Sequence, residues 1–318
     1  MRVLVTGGAG FIGSHLSKRL LGTGHDLAVI DDLSRGRREQ VPAGSRFYRA
    51  DVASPEAERA LREERPEVIM HLAAQIDVRR SVQEPLFDAR VNIEGTVRLL
   101  SAAVAAGSRR FLLVSSGGAV YGDTEQLPTP EDHPLRPSSP YGAAKAAAEH
   151  YLSAFAASFG IEVVVLRPGN VYGPGQDPHG EAGVVAIFAA QLLAGKAPTI
   201  NGDGLQTRDY VFVDDVVKAA LAALEGPAGT YNLGSGQESS VVTVEGLLRA
   251  ALAELLPPGG PPLPEASHGP AKAGEQRRSA LDCGRARRQL GWEPEVGLAE
   301  GLRRTAADFA AGATCSGR

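Results

Sequence analysis

The chain has 318 residues, of which 43% are hydrophobic, and its 33 basic and 37 acidic residues give a net charge of −4. This length exceeds the usual size of one compact domain, so we expect a large domain with a smaller one attached. The slightly acidic balance gives no electrostatic reason to bind nucleic acid, which is therefore not an expected partner.

The first residues and the cysteines indicate a cytoplasmic protein. The apolar start, residues 1–6, is too short for a signal peptide, and no later apolar run reaches the length of a membrane span. Cys283 and Cys315 lack the spacing of a disulfide framework or a metal site. We expect no association with a membrane.

A short apolar strand, a glycine-rich turn and a helical pattern open the chain. The predicted strand covers residues 2–6, and the helical pattern begins after the turn. Gly7, Gly10 and Gly13 match G-x-x-G-x-x-G, and Gly8 gives the G-x-G-x-x-G variant. Because glycines let the backbone turn tightly and let a pyrophosphate approach a helix N-terminus, this turn indicates a dinucleotide site.

A second apolar strand, residues 27–30, ends in Asp31 and Asp32. The dinucleotide fingerprint requires an acid about twenty residues after the glycines. Because a carboxylate accepts hydrogen bonds from a free ribose and repels a 2′-phosphate, Asp31 favours NAD over NADP. Arg35 lies close enough in sequence that NADP is not excluded. A tight turn without a ligand is the disfavoured alternative, since strand, helix and acid occur together.

Further strands and helices alternate through the first half of the chain. We predict strands over 47–50, 68–72 and 111–114, and helices over 56–64 and 85–106. This alternation is typical of a parallel sheet covered on both faces, in which ligands bind beyond the carboxyl ends of the strands. The polar or small residues at those ends are Asp51, Ala73, Ala74, Gln75, Ser115 and Ser116.

Tyr141 and Lys145 stand four residues apart at the start of a predicted alanine-rich helix, which places them on one face. A tyrosine that acts as a base near neutral pH needs its pKa lowered by about 3 units, and a nearby ammonium acts in that direction. A hydroxyl after the strand at 111–114, from Ser116 or Ser115, would complete an acid/base set. Such a pair is common by chance, but here it follows a predicted dinucleotide-binding half.

Several motifs that span nearly the whole chain resemble those of the extended short-chain dehydrogenase/reductase family. They are residues 7–13, 71–75, 115–122, Tyr141 with Lys145, and 169–174. Within that family, the segments similar to the bacterial UDP-glucose 4-epimerases are 176–188, 202–204, 208–215 and 274–279.

The resemblance implies an α/β fold: a Rossmann doubly wound parallel sheet with a smaller C-terminal α/β substrate domain. The NAD-binding Rossmann domain would cover residues 1–168, with a returning segment near 207–232, and the nucleotide-sugar-binding domain would cover 169–318. The resemblance also implies a homodimer joined through the helices near 85–106 and 140–156.

The resemblance further assigns site residues by position. Ser116 and Tyr141 would act at the sugar hydroxyl and Lys145 at the nicotinamide ribose, as the catalytic set. The cofactor-binding residues would be Gly7, Gly10, Phe11, Ile12, Gly13, Asp31, Asp32, Ser34, Asp51, Val52, Leu72, Ala73, Ala74, Gln75, Asn92, Ser115, Tyr141, Lys145 and Pro168. The substrate-binding residues would be Ser116, Asn170, Gly183, Val184, Val185, Arg208, Lys272 and Glu275, with no metal.

The activity implied is that of an NAD-dependent UDP-glucose 4-epimerase, an isomerase of galactose metabolism that interconverts UDP-glucose and UDP-galactose through a transient 4-keto sugar. Gly117 and Gly118 stand where a 4,6-dehydratase needs an acid pair, which argues against that relative. An epimerase of UDP-glucuronate or of a UDP-N-acetylhexosamine, or an NAD(P)-dependent 4-keto-sugar reductase, remains an alternative. A non-catalytic NAD-binding regulator is a more remote one.

Three departures from the family pattern concern the substrate. Pro168 and Gly169 replace a tyrosine or another large residue, which would change the wall near the nicotinamide and enlarge the sugar pocket. Lys272 stands where an arginine commonly contacts the diphosphate, and Gly175 removes a further cation. We also expect the basic run that begins at residues 277–278 to lie in a lid that carries substrate contacts.

Overall fold

The computed structural model describes residues 1–179, 183–257, 262–271 and 276–316. Strands and helices alternate along most of this sequence. The strands are β1 (Arg2–Thr6), β2 (Asp26–Asp31), β3 (Arg46–Arg49), β4 (Val68–His71), β5 (Arg110–Val114), β6 (Glu162–Pro168), β7 (Asn170–Tyr172), β8 (Thr199–Asn201), β9 (Thr207–Arg208), β10 (Tyr210–Phe212), β11 (Gly229–Leu233), β12 (Ser239–Ser240) and β13 (Ser267–Gly269). The helices are α1 (Phe11–Gly22), α2 (Pro55–Glu64), α3 (Val78–Gln83), α4 (Pro85–Ala89), α5 (Gly95–Ala106), α6 (Gly117–Val120), α7 (Pro140–Phe159), α8 (Val184–Leu193), α9 (Val213–Ala222), α10 (Val241–Leu255), α11 (Gly284–Leu290) and α12 (Leu298–Ser316).

Seven parallel strands form the main sheet in the order β11-β6-β5-β4-β1-β2-β3. Alternate side chains of β1 enter different cores, because successive residues of a strand point to opposite faces. Val3 and Val5 pack with α1 and α9, whereas Leu4 packs with α2, α5 and α7. The predicted doubly wound Rossmann sheet is confirmed.

A smaller α/β unit follows β6. Its core joins α8, α10 and α12 through Phe188, Leu192, Leu248, Leu252 and Leu302. Short strand pairs lie beside these helices, namely β7 with β10, β9 with β12, and β8 with β13. The chain also returns to the first unit, because α9 packs on α1 and β11 pairs with β6.

The predicted long helix over 85–106 consists of three segments. A π-helical turn, Arg90–Glu94, joins α4 to α5 and contains Asn92. A π turn widens the helix by one residue, and such turns are frequent at functional sites. Here it places the Asn92 side chain against the segment that follows β4.

The described part of the chain contains neither a membrane-spanning helix nor a candidate metal site. No helix there is long and apolar enough to cross a membrane. No group of three or more His, Cys, Asp or Glu side chains in the same residues could hold a metal ion. Cys283 is buried and not in a disulfide.

Candidate active site

The glycine turn packs backbone to backbone against the end of β4. Gly7 has a positive φ of 71°, and a Cβ on it would lie 2.7 Å from the Ala73 nitrogen. A Cβ on Gly13 would lie 2.0 Å from the Gly7 oxygen. Gly10 precedes α1, which has no side-chain cap and no acid in its first turn. The turn therefore offers the N–H groups of a helix N-terminus to an anion such as a pyrophosphate.

Asp31 is buried at the end of β2 beside this turn. Its Oδ2 accepts a hydrogen bond from the Ala9 N–H at 2.9 Å, and its Oδ1 accepts one from the Leu33 N–H at 2.9 Å. Burial raises the pKa of Asp31, and these two bonds oppose that effect. Because each carboxylate oxygen has a second lone pair, Asp31 remains able to accept from a ribose hydroxyl.

The neighbours of Asp31 form a turn of their own. Asp32 Oδ1 accepts hydrogen bonds from the Ser34 N–H at 2.8 Å and the Ser34 hydroxyl at 2.6 Å. The Arg35 guanidinium lies 3.6 Å from an Asp77 oxygen and donates to the His179 carbonyl at 3.3 Å. Arg35, which the sequence left as a partner for a 2′-phosphate, is thus engaged by a carboxylate.

Buried side-chain amides form a hydrogen-bond network with the segment that follows β4. Asn92 donates to the Gln75 carbonyl at 2.9 Å and to Asp88 Oδ1 at 3.0 Å, and it accepts from the Gln75 N–H at 2.9 Å. Gln75 Nε2 also donates to Asp88 Oδ1 at 2.8 Å. The other predicted cofactor residues lie in the first turn of α1, at strand ends or shortly after them: Phe11, Ile12, Asp51, Val52, Leu72, Ala73, Ala74 and Pro168.

Tyr141 lies in the first turn of α7 and is only 9% exposed. The Ser116 side chain lies beside its phenol, and this interaction lowers the pKa of Tyr141. Burial raises the pKa of Tyr141 to about 12, and the interaction with Ser116 opposes this only in part. The protein's own groups therefore do not supply the lowered pKa that a base at Tyr141 requires, because desolvation of a phenolate outweighs its interaction with Ser116.

Lys145 lies one turn further along α7 and is 4% exposed. Its Nζ donates to the Val114 carbonyl at the end of β5, at 3.0 Å. Burial lowers the pKa of Lys145 to about 8, while the charges of Asp88 and Glu149 oppose that shift. Lys145 is thus held at the strand end that carries the serines.

The two candidate serines point to different partners. Ser115 donates to Glu149 Oε1 at 2.5 Å, whereas the Ser116 side chain interacts with the Tyr141 phenol. The backbone of Ser116 is extended, so adjacent side chains point to opposite sides. Ser116 is therefore the hydroxyl beside the phenol, and any contact of Ser115 with a cofactor would come from its backbone.

The predicted substrate residues lie at the edge of the smaller unit. Asn170 begins β7 and its N–H donates to the Asp209 carbonyl at 2.7 Å. Arg208 ends β9 and donates to the Thr207 carbonyl at 2.7 Å. Gly183 and Val184 begin α8. The Val185 side chain packs in the core of the smaller unit, so only its backbone is available to a ligand. Lys272 and Glu275 lie outside the described residues.

One expectation about the substrate pocket is wrong, and another stays a prediction. A Cβ on Gly169 would lie 2.5 Å from the Asp209 carbonyl oxygen, so backbone fills the space that a larger residue would take, and Gly169 does not enlarge the pocket. Arg277 donates to Asp203 at 2.8 Å and Arg278 donates to Glu238 at 2.8 Å. Both guanidinium groups are paired with carboxylates of the protein. Residues 272–275 of the same segment lie outside the described residues, so the lid stays a prediction.

Glu149 and Asp88 were not predicted as site residues from the sequence, although the charges of these two buried carboxylates raise the pKa of Lys145. Glu149 lies four residues after Lys145 in an alanine-rich helix, so its spacing was a signal that it shares their face. Asp88 carried no such signal, because its approach to Lys145 depends on how α4 packs on α7.

Residues 3–234 match the model of the NAD dependent epimerase/dehydratase family. A UDP-glucose 4-epimerase of Mycolicibacterium smegmatis is 50% identical over 314 residues, which cover 97% of this chain and 98% of that protein. The match thus extends over both units of the fold.

Two solved structures are similar over the same length. A UDP-glucose 4-epimerase from Thermotoga maritima, solved with UDP-glucose, has a TM-score of 0.94 and 43% identity and covers 98% of this chain and 99% of its own. A Thermus thermophilus UDP-glucose 4-epimerase in complex with NAD has a TM-score of 0.92 and 44% identity, with 98% and 99% coverage. The family model covers more than two thirds of the chain, and the relatives cover nearly all of it. The chain therefore belongs to the NAD dependent epimerase/dehydratase family.

Proposed function

We propose that this protein is an NAD-dependent UDP-glucose 4-epimerase that interconverts UDP-glucose and UDP-galactose. The observation that carries the proposal is the Ser116 side chain beside the buried Tyr141 phenol, in a chain whose glycine turn is built for a dinucleotide. Relatives that match nearly the whole chain are named UDP-glucose 4-epimerases.

The residues present fit NAD as a resident cofactor. Gly7, Gly10 and Gly13 would admit the pyrophosphate to the start of α1, and Asp31 would accept from the adenosine ribose. The buried carboxylate of Asp31 disfavours a 2′-phosphate, since two like charges would be brought together away from water. When bound, NAD would accept a hydride from the C4′ carbon of the sugar and return it to the opposite face, with no net oxidation.

The protein's own groups would handle the proton of the 4′-hydroxyl. Tyr141 takes that proton as a phenolate and returns it after the 4-keto sugar has turned in the pocket. Ser116 holds the reacting oxygen against the phenol. Because burial raises the pKa of Tyr141 to about 12, the phenolate needs a further cation, and Lys145 and a bound nicotinamide ring are the groups that would supply it.

The substrate diphosphate would bind at the start of α8, with Arg208 and Asn170 beside it. The planar guanidinium of Arg208 suits a diphosphate because it donates two parallel hydrogen bonds. Firm attachment of the nucleotide by these groups leaves the sugar free to turn, which inversion at C4′ requires. Lys272 and Glu275 remain proposed contacts.

The proposal predicts that purified protein converts UDP-galactose to UDP-glucose without added cofactor. The products would be separated by chromatography, and the bound nucleotide would be extracted and identified. We expect NAD, because Asp31 disfavours the phosphate of NADP. A protein that carries NAD and turns over only UDP-glucuronate or a UDP-N-acetylhexosamine would contradict the proposed sugar. Recovery of mainly NADP would contradict the role of Asp31.

We also propose that two copies associate through α4, the π turn, α5 and α7. Leu86 on α4 is 86% exposed, and Val82 and Tyr151 are exposed nearby on α3 and α7. A groove lies along these helices. It is lined by Leu86, Ala89, Arg90, Ile93, Glu94, Val97, Arg98 and Tyr151. Apolar side chains exposed along neighbouring helices fit the self-complementary patch of a twofold dimer.

Light scattering at micromolar concentration is expected to give about twice the 33.2 kDa chain mass. Leu86→Arg should reduce this value to that of a monomer, since the charge would be buried in the interface. Leu255→Arg, at an exposed leucine on α10, should leave the dimer intact. A monomer in the parent protein would contradict the proposal.

A further inference from the structure

Glu149 lies on the same face of α7 as Tyr141 and Lys145, one turn beyond the lysine. Glu149 is 7% exposed. Its oxygens accept from the Ser115 hydroxyl at 2.5 Å, from Arg167 Nε at 3.0 and 3.1 Å, and from an Arg167 terminal nitrogen at 2.5 Å. This carboxylate is therefore saturated by donors from two other elements.

Both donors stand next to residues of the candidate site. Ser115 precedes Ser116 at the end of β5, and Arg167 precedes Pro168 at the end of β6. Glu149 consequently ties the helix that carries the phenol and the ammonium to both strand ends. A displacement of about 1 Å in such a set can lower a rate about a hundredfold.

Arg167 connects Glu149 to two further buried side chains, Tyr121 and Asn232. Its second terminal nitrogen donates to the Tyr121 phenol oxygen at 2.7 Å, and Tyr121 donates to Asn232 Oδ1 at 2.7 Å. Asn232 belongs to β11, so the network reaches from α7 to the edge strand of the sheet. Every side chain of this network has a hydrogen-bond partner, and a fully satisfied buried network is rigid.

The buried charges around Lys145 balance. The ammonium faces Asp88 on α4 and Glu149 on α7, and Glu149 also faces Arg167 on β6. His71, at the end of β4, is neutral because burial and the charge of Lys145 lower its pKa to about 3. The phenol of Tyr141 is uncharged in the same environment. Loss of Glu149 would leave two buried cations beside one carboxylate.

We propose that Glu149 is a positioning residue of the epimerase reaction, which holds Ser116 and Tyr141 in register and keeps Lys145 in its ammonium form. The inference rests on the proposed function. Glu149 does not touch the sugar; it acts through Ser115, Arg167 and Lys145.

Glu149→Gln keeps the size of the side chain and removes its charge. We expect kcat on UDP-galactose to fall about tenfold or more, with KM within about twofold, because the change affects the reacting groups and not the grip on the nucleotide. The basic limb of the kcat profile, where Lys145 loses its proton, should move toward neutral pH by about one unit. Loss of a merely structural contact would lower stability without moving that limb.

Glu64→Gln is the matched control. Glu64 is also held by an arginine and a hydroxyl: Arg46 Nε donates to it at 2.7 Å and the Tyr48 phenol donates at 2.5 Å. This cluster joins the end of α2 to the starts of β2 and β3, at the sheet edge opposite the candidate site. Glu64→Gln should lower stability and leave kcat and the pH of its basic limb unchanged. If the two glutamine variants behave alike, the proposal is wrong.

Two further variants separate geometry from charge. Glu149→Asp keeps the charge on a shorter side chain, so kcat should fall while the basic limb stays in place. Ser115→Ala leaves the ion pair intact and removes one anchor of β5, so it should also lower kcat at constant KM. Should Glu149→Gln not fold, parent-like kcat in both of these variants would overturn the proposal.

Urea unfolding against pH gives a readout that does not depend on activity. The pKa of Lys145 is about 8 in the folded protein and 10.5 in its ordinary state, so the unfolded chain binds more protons between these values and stability rises with pH there. In Glu149→Gln the rise should begin at a lower pH. A profile identical to that of the parent would refute the effect on Lys145. A parent that does not turn over UDP-galactose would instead refute the proposed function and leave this profile interpretable.

Discussion

Tyr141→Phe is expected to lower kcat on UDP-galactose by about 10² to 10⁴, the usual contribution of a positioned acid/base group. The substitution removes only the phenol oxygen, which interacts with the Ser116 side chain. Binding of UDP should stay within about twofold, because the proposed diphosphate contacts, Arg208 and Asn170, belong to the other unit of the fold. Turnover assays and isothermal titration with UDP measure the two quantities separately.

Tyr48→Phe provides the corresponding control. It removes a phenol that donates to Glu64 at 2.5 Å, on the part of the sheet remote from the serines. We expect a loss of stability of about 1 kcal/mol and a kcat like that of the parent. If Tyr141→Phe retains activity within tenfold of the parent, another group acts as the base and the assignment of Tyr141 fails.

Gly13→Ala is expected to abolish retention of NAD and to lower the free energy of unfolding by about 1–3 kcal/mol, the usual cost of overpacking. The added methyl group would lie 2.0 Å from the Gly7 oxygen and 2.9 Å from the Gly8 Cα. Both atoms are backbone, so no side-chain rotation relieves the clash and the glycine turn must move. The turn that would receive the pyrophosphate is thereby displaced.

Gly22→Ala, at the last position of the same helix, tests whether this effect is specific. A Cβ there meets no atom within 4 Å. Alanine should leave bound NAD unchanged and should stabilise the helix by up to about 1 kcal/mol, because it loses less conformational freedom than glycine. Extraction of the bound nucleotide and urea unfolding would compare the two variants. Full NAD content in Gly13→Ala would show that the glycine turn is not the pyrophosphate site.

Local patterns in the sequence determined the order of the elements and the main groups of the site. Short apolar runs predicted β1 to β5, and the glycine spacing placed the turn between β1 and α1. The fourfold spacing of Tyr141 and Lys145 put both on one face of α7. These signals succeed because backbone periodicity and glycine requirements are set by near neighbours in the chain.

Only the tertiary structure decided how the buried groups pair. Glu149 meets Ser115 and Arg167 because α7 lies across β5 and β6, and Asp209 fills the space beside Gly169 because the chain returns from the smaller unit. The pKa of Tyr141 could not be predicted from the sequence for the same reason. Helical spacing identifies its neighbour Lys145, but the free energy of a buried charge depends on the solvent removed by every element packed around it, which no local pattern records.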